Sequence, residues 1–182
     1  MHDFFERILI GRSTRQTLSK YAKGIDRWLG VVTLISAALL GTAIAMPLGA
    51  SDDFLGLEGS LSLFLSLVAL VKTGEGTFAL AGSALFIALP IYNISTAFDI
   101  WYKHEIHGEK FDKYVTRVGA CGRLWFLLAI GSVGLIYLIQ TSENGTVYLP
   151  VYYLLLSIML QKLVLTRLGR LTSAVRFVDE IE

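Results

Sequence analysis

The chain has 182 residues, of which 54% are apolar and 17% are charged. Soluble domains carry about 25% charged residues, so the composition excludes an ordinary soluble enzyme. The formal net charge of +1 argues against the basic surface of a nucleic-acid-binding protein. A single cysteine, Cys121, excludes an internal disulfide and a cysteine-built metal site.

Four long stretches without ionisable residues predict four membrane-spanning helices, because about 20 apolar residues cross the hydrocarbon of a bilayer. These stretches are residues 28–51, 77–98, 124–142 and 146–161, the last extending toward residue 166. The expected fold is therefore an all-α integral membrane protein with four transmembrane helices. A shorter apolar stretch, residues 55–71, contains Glu58 and is expected to form an outer-side amphipathic helix that lies flat or re-enters the membrane.

Basic residues are distributed unevenly among the segments that join these spans. Residues 1–27 contain six Lys and Arg, residues 99–123 contain five, and the tail from Lys162 contains four, whereas residues 52–76 contain only Lys72. Since Lys and Arg accumulate on the cytoplasmic side of membrane proteins, both termini are predicted to be cytoplasmic. A fifth span at residues 55–71 would break this asymmetry.

The sequence accordingly predicts three parts. Residues 1–27 are a cytoplasmic N-terminal amphipathic segment, residues 28–168 are the four-helix transmembrane domain, and residues 169–182 are a cytoplasmic tail. Apolar residues within 3–23 indicate either an interfacial helix or a docking segment for a cytoplasmic partner. Apolar residues after Arg167 recur every three or four positions, which predicts an amphipathic helix continuing from the fourth span.

Small residues recur at four-residue spacing in the first span, at Ala37, Gly41 and Ala45. This spacing lets a second helix approach closely. The helix that packs on these small residues belongs either to the same chain or to another subunit, and the sequence leaves both alternatives open.

The second span contains a proline followed by a polar residue. Pro90 cannot donate a backbone hydrogen bond to Phe86, which predicts a kink. Asn93 is expected to form an interhelical hydrogen bond, and its alternative role is that of a hinge or a substrate contact.

No sequence pattern indicates catalysis. The chain lacks the phosphate-binding loop, the nucleophile elbow and the zincin motif, and its spans hold no deep acid or base. His104 and His107 have a spacing that allows a metal site, but the charged residues around them favour a solvated face. We therefore expect a non-catalytic protein with no cofactor and no metal.

The order of these features resembles one transmembrane module of the paraquat-inducible protein A family. The first span ends in small residues and a proline (Ala43-Ile44-Ala45-Met46-Pro47), and the second has a mid-helix proline (Leu89-Pro90-Ile91-Tyr92-Asn93). A basic loop leads through Gly122-Arg123-Leu124-Trp125 into the third span. The resemblance implies a bacterial cytoplasmic (inner) membrane protein that works in lipid traffic with a mammalian-cell-entry (MCE) domain partner.

The function expected from the sequence is that of a structural or accessory, non-catalytic membrane subunit of a larger membrane complex, derived from a lipid-transport module. The alternative is an inner-membrane lipid-transport component that works with an MCE-domain protein. The expected partners are membrane lipids and other membrane subunits, and no nucleic acid. The candidate residues for contact with lipid or a partner are Pro90, Asn93, Trp125, Ala37, Gly41 and Ala45.

Overall fold

The computed structural model describes residues 16–54, 57–106 and 111–179. About 80% of it is helical. Among the described residues, four helices are long and apolar enough to cross a membrane. They are Gly24–Ala45, Gly76–Lys103, Phe111–Thr141 and Pro150–Ala174. Each contains most of one predicted span, so the chain has the helices of a multi-pass membrane protein.

The first span begins with irregular structure and ends earlier than predicted. The short helix α1 (Leu18–Tyr21) and a 3₁₀ turn (Gly24–Trp28) precede α2 (Leu29–Ala45). The sequence predicted this span to reach residue 51, and that boundary was wrong. Pro47 opens a β-strand instead, which is consistent with the poor fit of proline to a helix interior.

Three antiparallel strands form a small sheet in the order β2-β1-β3. They are β1 (Pro47–Phe54), β2 (Leu57–Ser62) and β3 (Thr146–Val147). Gly49 pairs with Val147, and a Cβ at Gly49 would overlap the Thr146 carbonyl oxygen. Glycine is therefore the residue that lets β1 and β3 approach this closely.

The helix expected over residues 55–71 is correct only in its second half. Residues 57–62 form β2, whereas α3 (Leu63–Lys72) is helical. Gly59, with φ +86°, and Ser60 favour helix weakly, so pairing with β1 decides their conformation. Ser62 ends the strand and caps the helix, since its hydroxyl oxygen accepts a hydrogen bond from the Leu65 amide at 3.3 Å.

The second span is a helix with two π-helical turns. In order it comprises α4 (Gly76–Ser83), a π turn (Ala84–Ala88), α5 (Leu89–Phe98) and a second π turn (Asp99–Lys103). The Leu89 amide donates to the Ala84 carbonyl oxygen, five residues back. This π turn ends two residues before Pro90, and the kink expected at Pro90 stays a prediction.

The third and fourth spans belong to the longest helices, α6 (Phe111–Thr141) and α7 (Pro150–Asp179). α6 begins 13 residues before the predicted start of its span at Leu124, because the charged residues that precede the span are helical too. α7 continues past Lys162 without interruption. The predicted helical continuation of the fourth span is therefore confirmed.

The chain divides into two compact units. The basic unit comprises the described parts of Met1–Ile35, Tyr92–Leu124 and Leu160–Glu182, and the sheet unit comprises Ser36–Ile91 and Trp125–Met159. The core of the basic unit contains Trp101, Cys121 and Leu168. Leu18 of the N-terminal segment is buried in this core. Of residues 3–23, for which an interfacial or docking role is expected, residues 3–15 lie outside the described residues.

Candidate functional site

The small residues of α2 differ in what surrounds them. Ala37 is half-buried, whereas Gly41 and Ala45 are exposed. A Cβ added at Gly41 would meet no atom within 4 Å. Ser36, Leu40 and Ala43 are buried instead. Packing within the described chain therefore uses the other face of α2 and leaves Gly41 and Ala45 uncovered.

A reciprocal pair of serines joins α2 to α7 within the sheet unit. The Ser157 hydroxyl donates to the Ser36 carbonyl oxygen at 2.8 Å, and the Ser36 hydroxyl lies 3.1 Å from the Ser157 carbonyl oxygen. The two hydroxyl oxygens are also 3.1 Å apart. Both residues are fully buried. The pair was not predicted from the sequence, although serine in an apolar span is a signal for an interhelical hydrogen bond.

Trp125 is tied to the same helix. Its indole nitrogen donates to the Ile158 carbonyl oxygen at 3.2 Å, and the side chain is half-buried. The polar atom of this candidate contact residue is therefore engaged within the chain. What remains for a lipid or partner is the exposed part of its ring.

Asn93 and Gln161 form the corresponding polar pair of the basic unit. The Asn93 amide nitrogen donates to the Gln161 amide oxygen at 3.3 Å, and Asn93 is only 1% exposed. This is the interhelical hydrogen bond expected at Asn93. The Asn93 amide oxygen has no hydrogen-bond partner among the described residues, which is unfavourable for a buried polar atom. Pro90 is also buried, in the sheet unit.

Two basic side chains of α7 make specific polar contacts within the basic unit. The Lys162 ammonium donates to the Gly122 carbonyl oxygen on α6 at 3.0 Å. Arg167 lies 3.7 Å from the Asp26 carboxylate. Both contacts fix a basic side chain of α7 within the basic unit.

His104 lies in an aromatic stack. Its ring centroid is 3.5 Å from that of Tyr114, and the Arg117 guanidinium lies 5.1 Å from the same tyrosine ring. Among the described residues, no three His, Cys, Asp or Glu side chains form a group that could hold a metal ion. His107, the other half of the metal-site alternative, lies outside the described residues.

The two units differ sharply in charge. Fifteen of the sixteen Lys and Arg residues lie in the segments of the basic unit, and Lys72 is the one in the sheet unit. The sheet unit carries five acidic residues. The division found by packing therefore coincides with a division by charge.

The sheet unit also contains an apolar groove of about 510 Å³ along α3 and α4. Comparison with protein-family models, curated proteins and solved structures finds no match for this chain. Its function is therefore inferred from the chain's own geometry.

Proposed function

We propose that the protein is a non-catalytic subunit of a larger complex in the bacterial cytoplasmic membrane, with a structural or accessory role. The supporting observation is the uncovered face of α2. Apolar side chains do not drive helices together in lipid, so association depends on close packing at small residues. A span that exposes Gly41 and Ala45 while burying its other face fits against a membrane-spanning helix of a second subunit.

The charge difference between the units supports the proposed orientation. Cytoplasmic segments of membrane proteins are rich in Lys and Arg, and the basic unit contains all but one of them. Both termini belong to segments of that unit. In this proposal both termini and the segment 99–123 lie on the cytoplasmic side, and the segments 52–76 and 143–146 lie on the outer side.

The subunit role is tested by placing a large side chain on the exposed face of α2. Gly41→Leu fills it, and the open space around Gly41 lets the fold accept the larger residue. We expect the complex recovered from native membranes in mild detergent to lose its partner chain, as measured by size-exclusion chromatography and mass spectrometry. Gly134→Leu is the matched control, because a Cβ at Gly134 also meets nothing within 4 Å. A wild-type protein that elutes as a monomer without a co-purifying chain would contradict the proposal.

The orientation is tested by labelling introduced cysteines with a membrane-impermeant maleimide. The native Cys121 is fully buried, so it contributes little background. We expect Glu143→Cys, in the sheet unit, to react in intact spheroplasts, and Asp112→Cys, in the basic unit, to react only after lysis. The reverse pattern would overturn the orientation.

A second candidate function is lipid transport with an MCE-domain partner, as the sequence resemblance implies. The observation that favours it is the apolar groove of the sheet unit, since such a surface accommodates hydrocarbon. Recovery of a stoichiometric MCE-domain protein in the same mild-detergent preparation would favour this function. Recovery of a different membrane complex would favour the accessory role.

A further inference from the structure

The helices α3 and α4 form a short hairpin in the sheet unit. The turn between them, Thr73–Glu75, contains Gly74 with φ +91°. The Thr73 hydroxyl and the Glu75 amide both donate to the Leu70 carbonyl oxygen, at 3.1 Å and 2.9 Å. These bonds fix the turn and thereby hold the two helices side by side.

The groove of about 510 Å³ runs along this hairpin. Leu67 and Ala79 form its buried floor, and the exposed side chains of Phe64, Val68 and Leu80 form its rim. Its volume falls within the range of about 300–1,000 Å³ that is usual for ligand sites. The walls therefore offer a continuous apolar surface of a size that fits part of a small molecule.

The lining of the groove has few groups that could hydrogen-bond a polar ligand. Ser83 contributes the hydroxyl group of the lining, and that hydroxyl donates to the Ala79 carbonyl oxygen at 2.7 Å. The remaining lining side chains are apolar or, at Gly76, absent. The chemistry of the site thus selects hydrocarbon.

The position of the groove in the chain indicates where that hydrocarbon comes from. α4 is the first part of the candidate span Gly76–Lys103, so the groove opens on a surface that continues into a membrane-crossing helix. An exposed apolar rim is unfavourable in water and favourable against lipid chains. A bilayer therefore supplies the natural occupant.

Two exposed charged residues adjoin lining residues of the groove in the chain: Lys72, and Glu75, which directly precedes Gly76. Lys72 directly follows the lining residue Val71 in the last turn of α3, and its side chain is exposed. Lys72 is the one basic residue in the segments of the sheet unit, so its ammonium attracts an anionic group, whereas the Glu75 carboxylate repels it. A lysine at a lipid boundary extends its ammonium toward the headgroups, where phosphate accepts its hydrogen bonds.

We propose that this groove holds one acyl chain of a resident phospholipid whose phosphate is bound by Lys72. The lipid completes the surface of the hairpin and is retained with the protein. This inference rests on the proposed membrane location and uses the groove that also favours lipid transport, but it requires neither a partner chain nor transfer of the lipid.

Photolabelling tests the occupant directly. The full chain is reconstituted in nanodiscs of phosphatidylethanolamine and phosphatidylglycerol that include a phosphatidylethanolamine with a diazirine in one acyl chain. After irradiation, peptide mass spectrometry is expected to find adducts on Val68 and Leu80 in excess over Leu65 and Phe78. Those two comparison residues are exposed on the same helices but do not line the groove. Equal labelling of all four residues would mean general contact with the bilayer and would overturn the proposal.

Variants that fill the groove give the second test. Gly76→Leu adds a side chain where a Cβ meets nothing within 4 Å, and Gly134→Leu is the matched control outside the groove. We expect Gly76→Leu to lower labelling of Leu80 by about tenfold, equivalent to losing the burial of about two methylene groups. Val68→Trp fills the groove from α3 and is expected to have the same effect. Wild-type labelling of Leu80 in either folded variant would contradict the proposal.

Two variants of opposite charge test whether Lys72 binds the lipid phosphate. Lys72→Arg keeps a cation at the end of the groove and is expected to keep the label, whereas Lys72→Glu is expected to lower it severalfold because the carboxylate repels phosphate. Equal labelling of these two variants would remove the phosphate contact from the proposal.

Discussion

The basic unit and the sheet unit share the four long helices but differ in charge and in surface. The segments of the basic unit carry fifteen basic and ten acidic residues, whereas the sheet unit carries one basic and five acidic residues. The sheet unit contains all three strands and the apolar groove. In the proposed function, the basic unit sets the orientation in the membrane and the sheet unit presents surfaces to lipid and partners.

The buried polar pairs of the two units differ in how completely their polar atoms are hydrogen-bonded. Ser36 and Ser157 satisfy each other through reciprocal bonds. Asn93 and Gln161 share one longer bond, and the Asn93 amide oxygen stays without a partner among the described residues. The fully hydrogen-bonded pair stabilises helix packing. In the other pair, the desolvation penalty of the unpartnered oxygen offsets part of the free energy that the hydrogen bond contributes.

The largest effect is expected from the core of the basic unit. Trp101 is 2% exposed, so Trp101→Ala leaves a cavity and is expected to lower the free energy of unfolding by about 3–5 kcal/mol. Thermal unfolding in detergent measures this. Tyr152→Ala, at a tyrosine of the sheet unit that is 59% exposed, is the control and should cost below about 0.5 kcal/mol. Similar losses in both variants would break the contrast between a packed core and a lipid-facing surface.

The next effect concerns the sheet unit alone. Gly49→Val places a branched side chain against the Thr146 carbonyl oxygen, and we expect a loss of about 2–3 kcal/mol as β1 and β3 separate. Hydrogen exchange should show faster exchange of the strand amides, with the amides of the basic unit protected as before. Gly41→Val, on the open face of α2, is the control. Loss of protection in both units would show that they unfold together.

A smaller effect on stability is expected from the buried polar pairs, and it compares the two units directly. Double-mutant cycles with alanine are expected to give a coupling energy of about 1 kcal/mol for Ser36 with Ser157 and about 0.5 kcal/mol for Asn93 with Gln161. The serine pair is stronger because both of its hydroxyls are engaged. A larger coupling for the amide pair would indicate that the Asn93 oxygen has a partner in the membrane-embedded protein.

The smallest effect is expected at the ion pair between Asp26 and Arg167. Their atoms lie 3.7 Å apart, and the Arg167 side chain is 47% exposed, so Asp26→Asn should cost about 0.2–1 kcal/mol. The loss should shrink as salt is raised, since screening weakens such pairs. A loss independent of salt would mean that Asp26 acts through packing.

Several features of this fold were predictable because they depend on neighbouring residues. Four apolar runs predicted four long helices, and periodic apolar residues after Arg167 predicted the continuation of α7. Asn93 in an apolar span predicted an interhelical hydrogen bond, although its partner Gln161 was not identified. Residues 57–62 were predicted as helix and form a strand, because their pairing with β1 is not visible in local composition.

Two glycines illustrate the limit of sequence patterns. Gly41 and Gly131 both lie in apolar spans and both suggest close helix approach. A Cβ at Gly131 would overlap the Leu85 side chain, whereas a Cβ at Gly41 would meet nothing. Only the fold distinguishes a glycine used inside the chain from one available to a partner.

The amino-acid sequence by itself determined the number of long apolar helices and the segments in which positive charge collects, because hydropathy and charge are properties of contiguous segments. The tertiary structure decided which residues became strand, which face of α2 was covered, and where the groove formed. Each of these depends on contacts between distant residues, as between Ser36 and Ser157, which are 121 positions apart. The local sequence does not show which two residues meet, since the energy of such a contact arises only when the helices pack.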